Sequence, residues 1–412
     1  MRSVLLVAQI APPSELVAAR RVAGFSKYLA RLGHRVAVLT SRVSGEGEIE
    51  GAERVVRTND LLLTRLNWRR GHFAALSGQG ADGYAAPSFL ERVVVPDLGA
   101  VTWLPFALPA ALRLAGRERF DCVLTTSPPQ SAHVIGLALK RRGVCWIADF
   151  RDGWTFEPQQ LPWLTPAQGW ADRRLESRVV RRADAATAVT APIVDDLRQR
   201  FGVEVSLLRN GFDPEEDGAQ DGDRVLDPDR HSLVHTGRMA AALRSPKPLL
   251  DALRRLRDEA PQVAERLEVV FAGPLSDEER RLLGDGQLAG LVRSVGSLER
   301  DRALQLQREA DSLLVLTEGT RRSVATGKLY EYLSAGRPIL VLGEETDAAR
   351  VVAEAGAGFA APAADPVAIA AALRRLVESP PPPPQAEAVS RYGYPRLAEQ
   401  LSGLIEATCR DR

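Results

Sequence analysis

The chain predicts an α/β fold of two Rossmann-like, doubly wound domains, on three observations. Short apolar runs alternate with helical patterns along both halves, as in parallel sheets buried on both faces. An Asp-, Glu- and Gly-rich stretch, Asp213 to Arg230, separates those halves. At 412 residues and 45% apolar content, each half can bury its own core. The expected organisation is a first domain over 1–212, a linker over 213–230, a second domain over 231–385 and a helical tail over 386–412 that crosses back to the first domain.

In order, Val4 to Gln9 reads as a first buried strand, Leu16 to Leu32 as a helix and Arg35 to Thr40 as the next strand. Cys122 to Thr125, Val144 to Ala148, Ala185 to Val189 and Val205 to Leu208 continue the series. The second half repeats it at Ser232 to Thr236, Leu267 to Ala272, Leu291 to Val295, Leu313 to Leu316 and Ile339 to Leu342. The run Pro380 to Pro384 is a polyproline spacer ahead of the tail.

Composition excludes several classes. A formal charge of +1 offers no steering toward nucleic acid. Three cysteines, Cys122, Cys145 and Cys409, with no CxxC pair, suit a reducing compartment and argue against structural zinc, so they read as small core residues. Met1 to Val7 is too short and too quickly polar for a signal peptide. Gly99 to Leu112, the longest apolar run, is interrupted by Pro105 and Pro109 and falls below the roughly 20 residues of a membrane span, so a buried helix or loop is expected. A cytoplasmic location follows, with at most a weak peripheral contact at the inner membrane face. Abundant Ala, Arg and Gly with few Lys point to a GC-rich bacterial genome.

Open α/β sheets bind ligands beyond the carboxyl ends of their strands, so the chemistry is sought in those loops. The richest segment runs from Thr326 to Leu340: after a strand and a polar loop, Lys328 and Glu331 share one face of a helix that Gly336 and Pro338 stop. The helix N-terminus and Lys328 suit a phosphate, and Glu331 suits a diol; the same pair would also serve as an ordinary wet face. A P-loop is excluded, since Arg322 and Leu329 occupy positions where that motif needs Gly and Ser or Thr. After another strand, Gly237 permits close backbone approach, and Arg238 and Arg244 can neutralise a diphosphate. In the first half, Gln9 to Ser14 opens a helix without GxGxxG, against a dinucleotide oxidoreductase, and Arg20 or Arg21 can add charge there. Asp149, Arg151 and Asp152 crowd a strand-to-loop junction, where they either line a ligand site or pair internally to shape the loop. Of the histidines weighed, His34 and His133 read as structural or solvated.

Taken in order, Gly33 to Thr40, Thr126 to Ser131, Asp149-Phe150-Arg151-Asp152, Leu208 to Asp213, Thr236-Gly237-Arg238, Lys328 to Pro338 and Arg391 to Tyr394 resemble the GT-B glycosyltransferases, and more closely the retaining enzymes of family 4, over nearly the whole chain. The resemblance implies two domains facing across a cleft, with a nucleotide-sugar donor (UDP, dTDP or GDP linked) on the second and a hydroxyl-bearing acceptor on the first. It implies Arg238, Arg244 and Lys328 on the diphosphate, Glu331 on the ribose, and Gly296, Ser297 and Leu298 near the base. Transfer would retain the anomeric configuration with no metal or other cofactor. Family members commonly carry Glu eight residues before the ribose-binding Glu; Ser323 stands there, leaving Glu318 or loop backbone for the sugar hydroxyls. The usual first-loop Gly-Gly is replaced by Ser14-Glu15-Leu16, so Pro12, Pro13 and Ser14 would approach donor phosphate or acceptor through backbone. The usual histidine after the Asp149 strand is missing, which leaves Asp152 or Asp149 for acceptor activation. The acceptor, whether glycan, lipid-linked sugar or natural product, would meet Arg65 to Arg70 or the Trp103 region. A sugar-nucleotide epimerase and a non-catalytic binding module are the alternatives.

Overall fold

Two all-parallel sheets form in the computed structural model, which describes residues 1–14, 16–61, 92–158, 162–216, 225–239, 246–317 and 321–410. The described residues divide into two units, one holding those up to Asp213 together with those from Tyr392 on, the other holding those from Pro214 to Arg391.

The first sheet contains β1 (Ser3–Val7), β2 (Arg35–Ser41), β3 (Ala52–Thr58), β4 (Cys122–Ser127), β5 (Cys145–Phe150), β6 (Ala185–Ala188) and β7 (Val205–Leu207), in the order β3-β2-β1-β4-β5-β6-β7. Strand order reverses between β1 and β4, which makes their carboxyl ends the switch point where open sheets take ligands. Helices α1 (Val17–Arg31), α2 (Leu104–Arg117), α3 (Ala132–Lys140), α4 (Pro166–Arg182) and α5 (Ala191–Phe201) belong to this unit. Alternating strand residues feed two cores: Leu5, Val7 and Trp146 pack with α2, α3 and α5, while Leu6, Val38 and Ile147 pack with α1. β3 was not anticipated, because AERVVRT at a half-exposed sheet edge is no apolar run.

Two expectations change here. Asp149 is not at a junction: it is the fifth residue of β5, paired in register with Thr126 and Thr187 on the neighbouring strands. The other is the acceptor reading of the Trp103 region: Gly99 to Leu112 is helical, in line with the buried helix or loop expected, a short turn followed by α2 with Pro109 inside it. Trp103 between them is fully buried and donates its indole N–H to Thr58 Oγ1 at 2.9 Å. That aromatic therefore faces neither acceptor nor membrane. Trp68 and the rest of Arg65 to Arg70 lie outside the described residues.

The second sheet contains β8 (His231–Thr236), β9 (Leu267–Ala272), β10 (Val292–Gly296), β11 (Ser312–Leu316), β12 (Ile339–Leu342) and β13 (Gly358–Ala361), in the order β10-β9-β8-β11-β12-β13. Its switch point is between β8 and β11. Helices α6 (Lys247–Glu259), α7 (Arg300–Glu309), α8 (Gly327–Ala335), α9 (Asp347–Glu354) and α10 (Pro366–Glu378) complete the unit. Leu249, Leu250 and Leu253 of α6 and Leu373 and Leu376 of α10 share one core with Leu233, Val269 and Leu340. On α8, Leu329, Tyr330, Tyr332 and Leu333 are buried, and Gly336 ends the helix in the left-handed conformation.

The last helix, α11 (Tyr394–Thr408), places Leu397, Leu401 and Ile405 in the same core as α1. A Cβ on Gly24 of α1 would lie 2.3 Å from the Tyr394 ring, so glycine lets these helices meet. The chain's return is tied by Phe212 N–H to Tyr392 O at 3.2 Å and Tyr394 N–H to Phe212 O at 2.9 Å. No helix among the described residues is long and apolar enough to cross a membrane.

Candidate donor site and its paired carboxylates

Both walls of the second unit's switch point carry functional groups. Gly237 follows β8 with φ of 83°, and Gly273 follows β9 so closely that a Cβ on it would meet Gly237 O at 2.3 Å. Lys328, on the first turn of α8, lies across Gly237: a Cβ there would sit 2.7 Å from Lys328 Cε and 2.9 Å from Nζ. The ammonium donates to Arg238 O at 2.9 Å and comes within 3.5 Å of His235 Nε2. His235 is held by Leu314 O, 2.9 Å from Nδ1. Thr326, the residue capping α8, gives no side-chain hydrogen bond to the first turn, so amide N–H groups and the positive end of the helix dipole face the same place as Lys328. Glycine backbone, ammonium and helix N-terminus are together suited to an anion.

One turn further, Glu331 keeps 13% of its side chain exposed. Arg300 Nη1 donates to its Oε1 at 3.4 Å and Gln307 Nε2 to its Oε2 at 3.5 Å, both long contacts. Arg300 holds Glu216 more closely, at 2.6 Å. Gln307 also donates to Thr236 Oγ1 at 2.9 Å, and Thr236 N–H donates to Tyr332 Oη at 2.8 Å. Burial pushes the Tyr332 hydroxyl up to about 12, against the pull of its bonds to Thr236, so it stays protonated. A chain of fixed groups thus links the end of β8 to the Glu331 carboxylate, a group that can accept from a diol.

Gly296 ends β10 and Ser297 and Leu298 follow it, with β9 and β8 between that strand and β11; Gly296 has φ of 73°, and it and Ser297 are exposed. The structure therefore brings Gly237, Arg238, Lys328 and Glu331 together and sets 296–298 at the carboxyl end of the edge strand β10. Arg244 and Glu318 lie outside the described residues.

In the first unit the acidic cluster separates into different roles. Asp149 is fully buried and accepts four hydrogen bonds: Arg21 Nη2 at 2.7 Å, Arg21 Nε at 2.9 Å, Thr126 Oγ1 at 2.7 Å and Thr187 Oγ1 at 2.7 Å. Burial alone would raise this carboxyl, but the Arg21 charge and these bonds hold it below the usual carboxylate range. Arg21 spends its other donors on Leu208 O, Arg209 O and Asn210 Oδ1. The pair therefore fastens α1 and β5 to the segment after β7. Asp149 accepts no acceptor proton here, and Arg21 carries no free charge to a ligand. Arg151 also turns inward, donating to Ser127 O, Pro128 O and Ala18 O and bracing the loop after β4. Asp152, one residue further, is partly exposed.

At the β1 end, Ser14 N–H donates to Ala11 O at 3.2 Å and Arg57 to Pro12 O at 2.8 Å, while Pro13 is exposed. His133 is fully buried, 2.8 Å from Thr125 Oγ1 through Nδ1, and its ring centroid is 4.8 Å from that of Phe150. Burial drives its pKa to about 3, so it is a neutral core residue. His34 reaches Ser402 Oγ at 2.7 Å, also a structural contact.

Sequence reasoning gave no role to His235, Arg300, Gln307 or Tyr332. Arg300 alone left a trace, as a cation in a helix first turn where the dipole favours acids. The others are single polar residues on apolar faces.

Residues 18–211 match the family model described as glycosyl transferase 4-like domain, and 230–379 match glycosyl transferases group 1. Among solved structures, α,α-trehalose 6-phosphate synthase from Burkholderia multivorans is similar at 14% identity and TM-score 0.63, with 99% of this chain and 97% of that one covered. AviGT4, a glycosyltransferase involved in avilamycin A biosynthesis, is similar at 16% identity and TM-score 0.55, covering 100% and 99%. A UDP-N-acetylglucosamine 2-epimerase shares the fold at 15% identity and TM-score 0.53, covering 100% and 97%. No curated protein matches. With both family models in sequence along two doubly wound units, the chain belongs to the GT-B glycosyltransferases of the family 4 type.

Proposed function

We propose that this protein transfers a sugar from a nucleoside-diphosphate donor to an acceptor hydroxyl with retention of anomeric configuration. The observation that carries the reading is the meeting of Gly237, Lys328 and the α8 N-terminus one helical turn from Glu331. A diphosphate on the ammonium and amides would place a ribose diol within reach of the carboxylate. As the glycosidic bond breaks, the departing diphosphate gains negative charge, which Lys328, Arg238 and the helix dipole would stabilise without a metal. Gly296 to Leu298 would border the base, and Arg244 and Glu318 would complete the diphosphate and sugar contacts. The first unit would hold the acceptor, a glycan, lipid-linked sugar or natural product, with Pro12 to Ser14 approaching through backbone and Asp152 beside the reacting hydroxyl. This assigns the protein to the cytoplasm, with a peripheral membrane contact if the acceptor is lipid-linked.

The test is a thermal-shift panel of UDP, dTDP and GDP and their sugars, since a ligand of the folded state raises its melting point. No shift with any of them would refute the donor site. Because an epimerase shares the fold, the shifting donor is next incubated alone. A transferase leaves its sugar unchanged apart from slow hydrolysis; conversion to an epimer without acceptor would overturn transfer.

A further inference from the structure

The three cysteines, far apart in sequence, converge in the first unit. Cys122 and Cys145 are the first residues of β4 and β5 and pair in register, and Cys409 caps the C-terminal end of α11 over the same face. All three are buried, and their sulfur atoms lie within 4.8 Å of one another. Cys145 Sγ and Cys409 Sγ are 2.6 Å apart. Cys122 and Cys145 begin their strands, at the end of this sheet opposite the loop after β5 that carries Asp152, so the cluster takes no part in the proposed transfer.

Three thiols at one point suit either a soft metal ion or sulfur–sulfur chemistry, and the surroundings decide between them. Structural zinc takes four ligands, and among the described residues no histidine or carboxylate joins the three sulfurs. Three thiolates around a mono- or divalent ion would also leave net negative charge in an apolar core of Leu401, Ile405 and Ile147. A disulfide leaves none. Cys122 and Cys145 stand side by side on parallel strands, whereas Cys409 comes down on them from the helix and makes the closer approach to Cys145. Hydrogen bonding with Cys122 and Cys145 holds the Cys409 thiol well below its usual value, so it is the sulfur that ionises first.

We propose that Cys145 and Cys409 are a peroxide-responsive thiol pair that forms a reversible disulfide fastening the end of α11 to the start of β5. The Cys409 thiolate attacks the O–O bond of hydrogen peroxide, releasing hydroxide and leaving a sulfenic acid. Cys145 sulfur then attacks that sulfur and expels the oxygen, so two thiols and one peroxide give one disulfide and two waters. A dithiol reductant returns both thiols by exchange. Access comes from opening of the terminal turn, which is followed by exposed Arg410.

The experiment treats the reduced full chain with hydrogen peroxide under native conditions, then unfolds it in alkylating reagent and maps the peptides. The expected result is a fall from three free thiols to one, a linked Cys145–Cys409 peptide, a higher melting temperature and reversal of all three by dithiothreitol. Cys122→Ser should still form the link, and Cys409→Ala should lose both it and the temperature shift. Persistence of three thiols, or a Cys122–Cys145 link, overturns the proposal. So does tight binding of one equivalent of zinc or cuprous ion by the reduced chain with all three thiols protected, which would make the cluster a metal centre. The wild-type peptide map decides even if a variant fails to fold.

Discussion

Replacing Glu331 by Ala tests the proposed donor site most directly, and the structure sets the size of the effect. The carboxylate's contacts with Arg300, at 3.4 Å, and with Gln307, at 3.5 Å, are both long. Two ribose hydroxyls donating to it would form shorter, charge-assisted bonds of about 1.5 kcal/mol each. Their loss amounts to about 3 kcal/mol, or roughly 100-fold in Kd. The fold should lose little, on the order of 1 kcal/mol or less, because the Arg300 pair is partly exposed and Arg300 keeps Glu216 at 2.6 Å. Calorimetric titration would compare a ribonucleoside diphosphate with its 2′,3′-dideoxy counterpart. Wild type should prefer the ribose form by roughly 100-fold, and Glu331→Ala should bind both equally, at the weaker value. dTDP, with a single sugar hydroxyl, should lie about tenfold from the full ribose. A variant that keeps the ribose preference would refute the assignment. Equal weakening of both ligands would instead mean that Glu331 acts through Arg300 and local packing.

Other outcomes follow from the same geometry. Gly237→Ala puts a Cβ 2.7 Å from Lys328 Cε at φ of 83°, so it should displace the ammonium, cost about 1 kcal/mol of stability and weaken inorganic diphosphate and nucleotide alike in titration. Asp149→Ala strands the buried Arg21 guanidinium and should destabilise the first unit by about 3–5 kcal/mol in urea unfolding, with nucleotide affinity of the remaining folded protein unchanged. His133, lowered by burial to about 3, binds its proton more weakly folded than unfolded; its stabilisation is complete above the unfolded value near 6.5 and drains away as pH falls toward 3. Urea midpoints measured across that range should decline in wild type, and His133→Phe should remove the part of the slope that one proton contributes.

The fold was legible because strands buried on both faces read as continuous apolar runs, as ILVL in β12 and LEVVFA in β9 do. Where a strand departs from that rule, legibility ends. β3 is an edge strand with Arg54 and Arg57 among its valines, and β13 is GFAA, too small to stand out. Asp149 was placed beyond its strand for a related reason: a carboxylate breaks an apolar run unless a cation meets it inside the fold. That cation, Arg21, lies 128 residues away. Lys328 and Glu331 were visible because both belong to one helix turn, where spacing fixes proximity. Arg300 and Gln307 meet Glu331 from α7, and no spacing rule in one chain links two helices. The cysteines are the extreme case, with Cys145 and Cys409 separated by 264 positions and joined only by the return of α11.

Two acidic residues beside arginines show how the structure separates support from recognition. Asp149 meets Arg21 through two bonds of 2.7 and 2.9 Å, with side chains 1% and 2% exposed, and two threonine hydroxyls complete its acceptor capacity. Transferring a proton to either oxygen would disturb two of these contacts and leave the buried Arg21 charge without its counter-ion. Glu331 meets Arg300 once, at 3.4 Å and 13% exposure, and the arginine has a better partner in Glu216. Contacts of that length with Arg300 and Gln307 can be exchanged for a ligand's hydroxyls at little cost. Both are carboxylates facing an arginine; the length of that bond and access to solvent make Asp149 a brace and leave Glu331 as the residue proposed for a ribose.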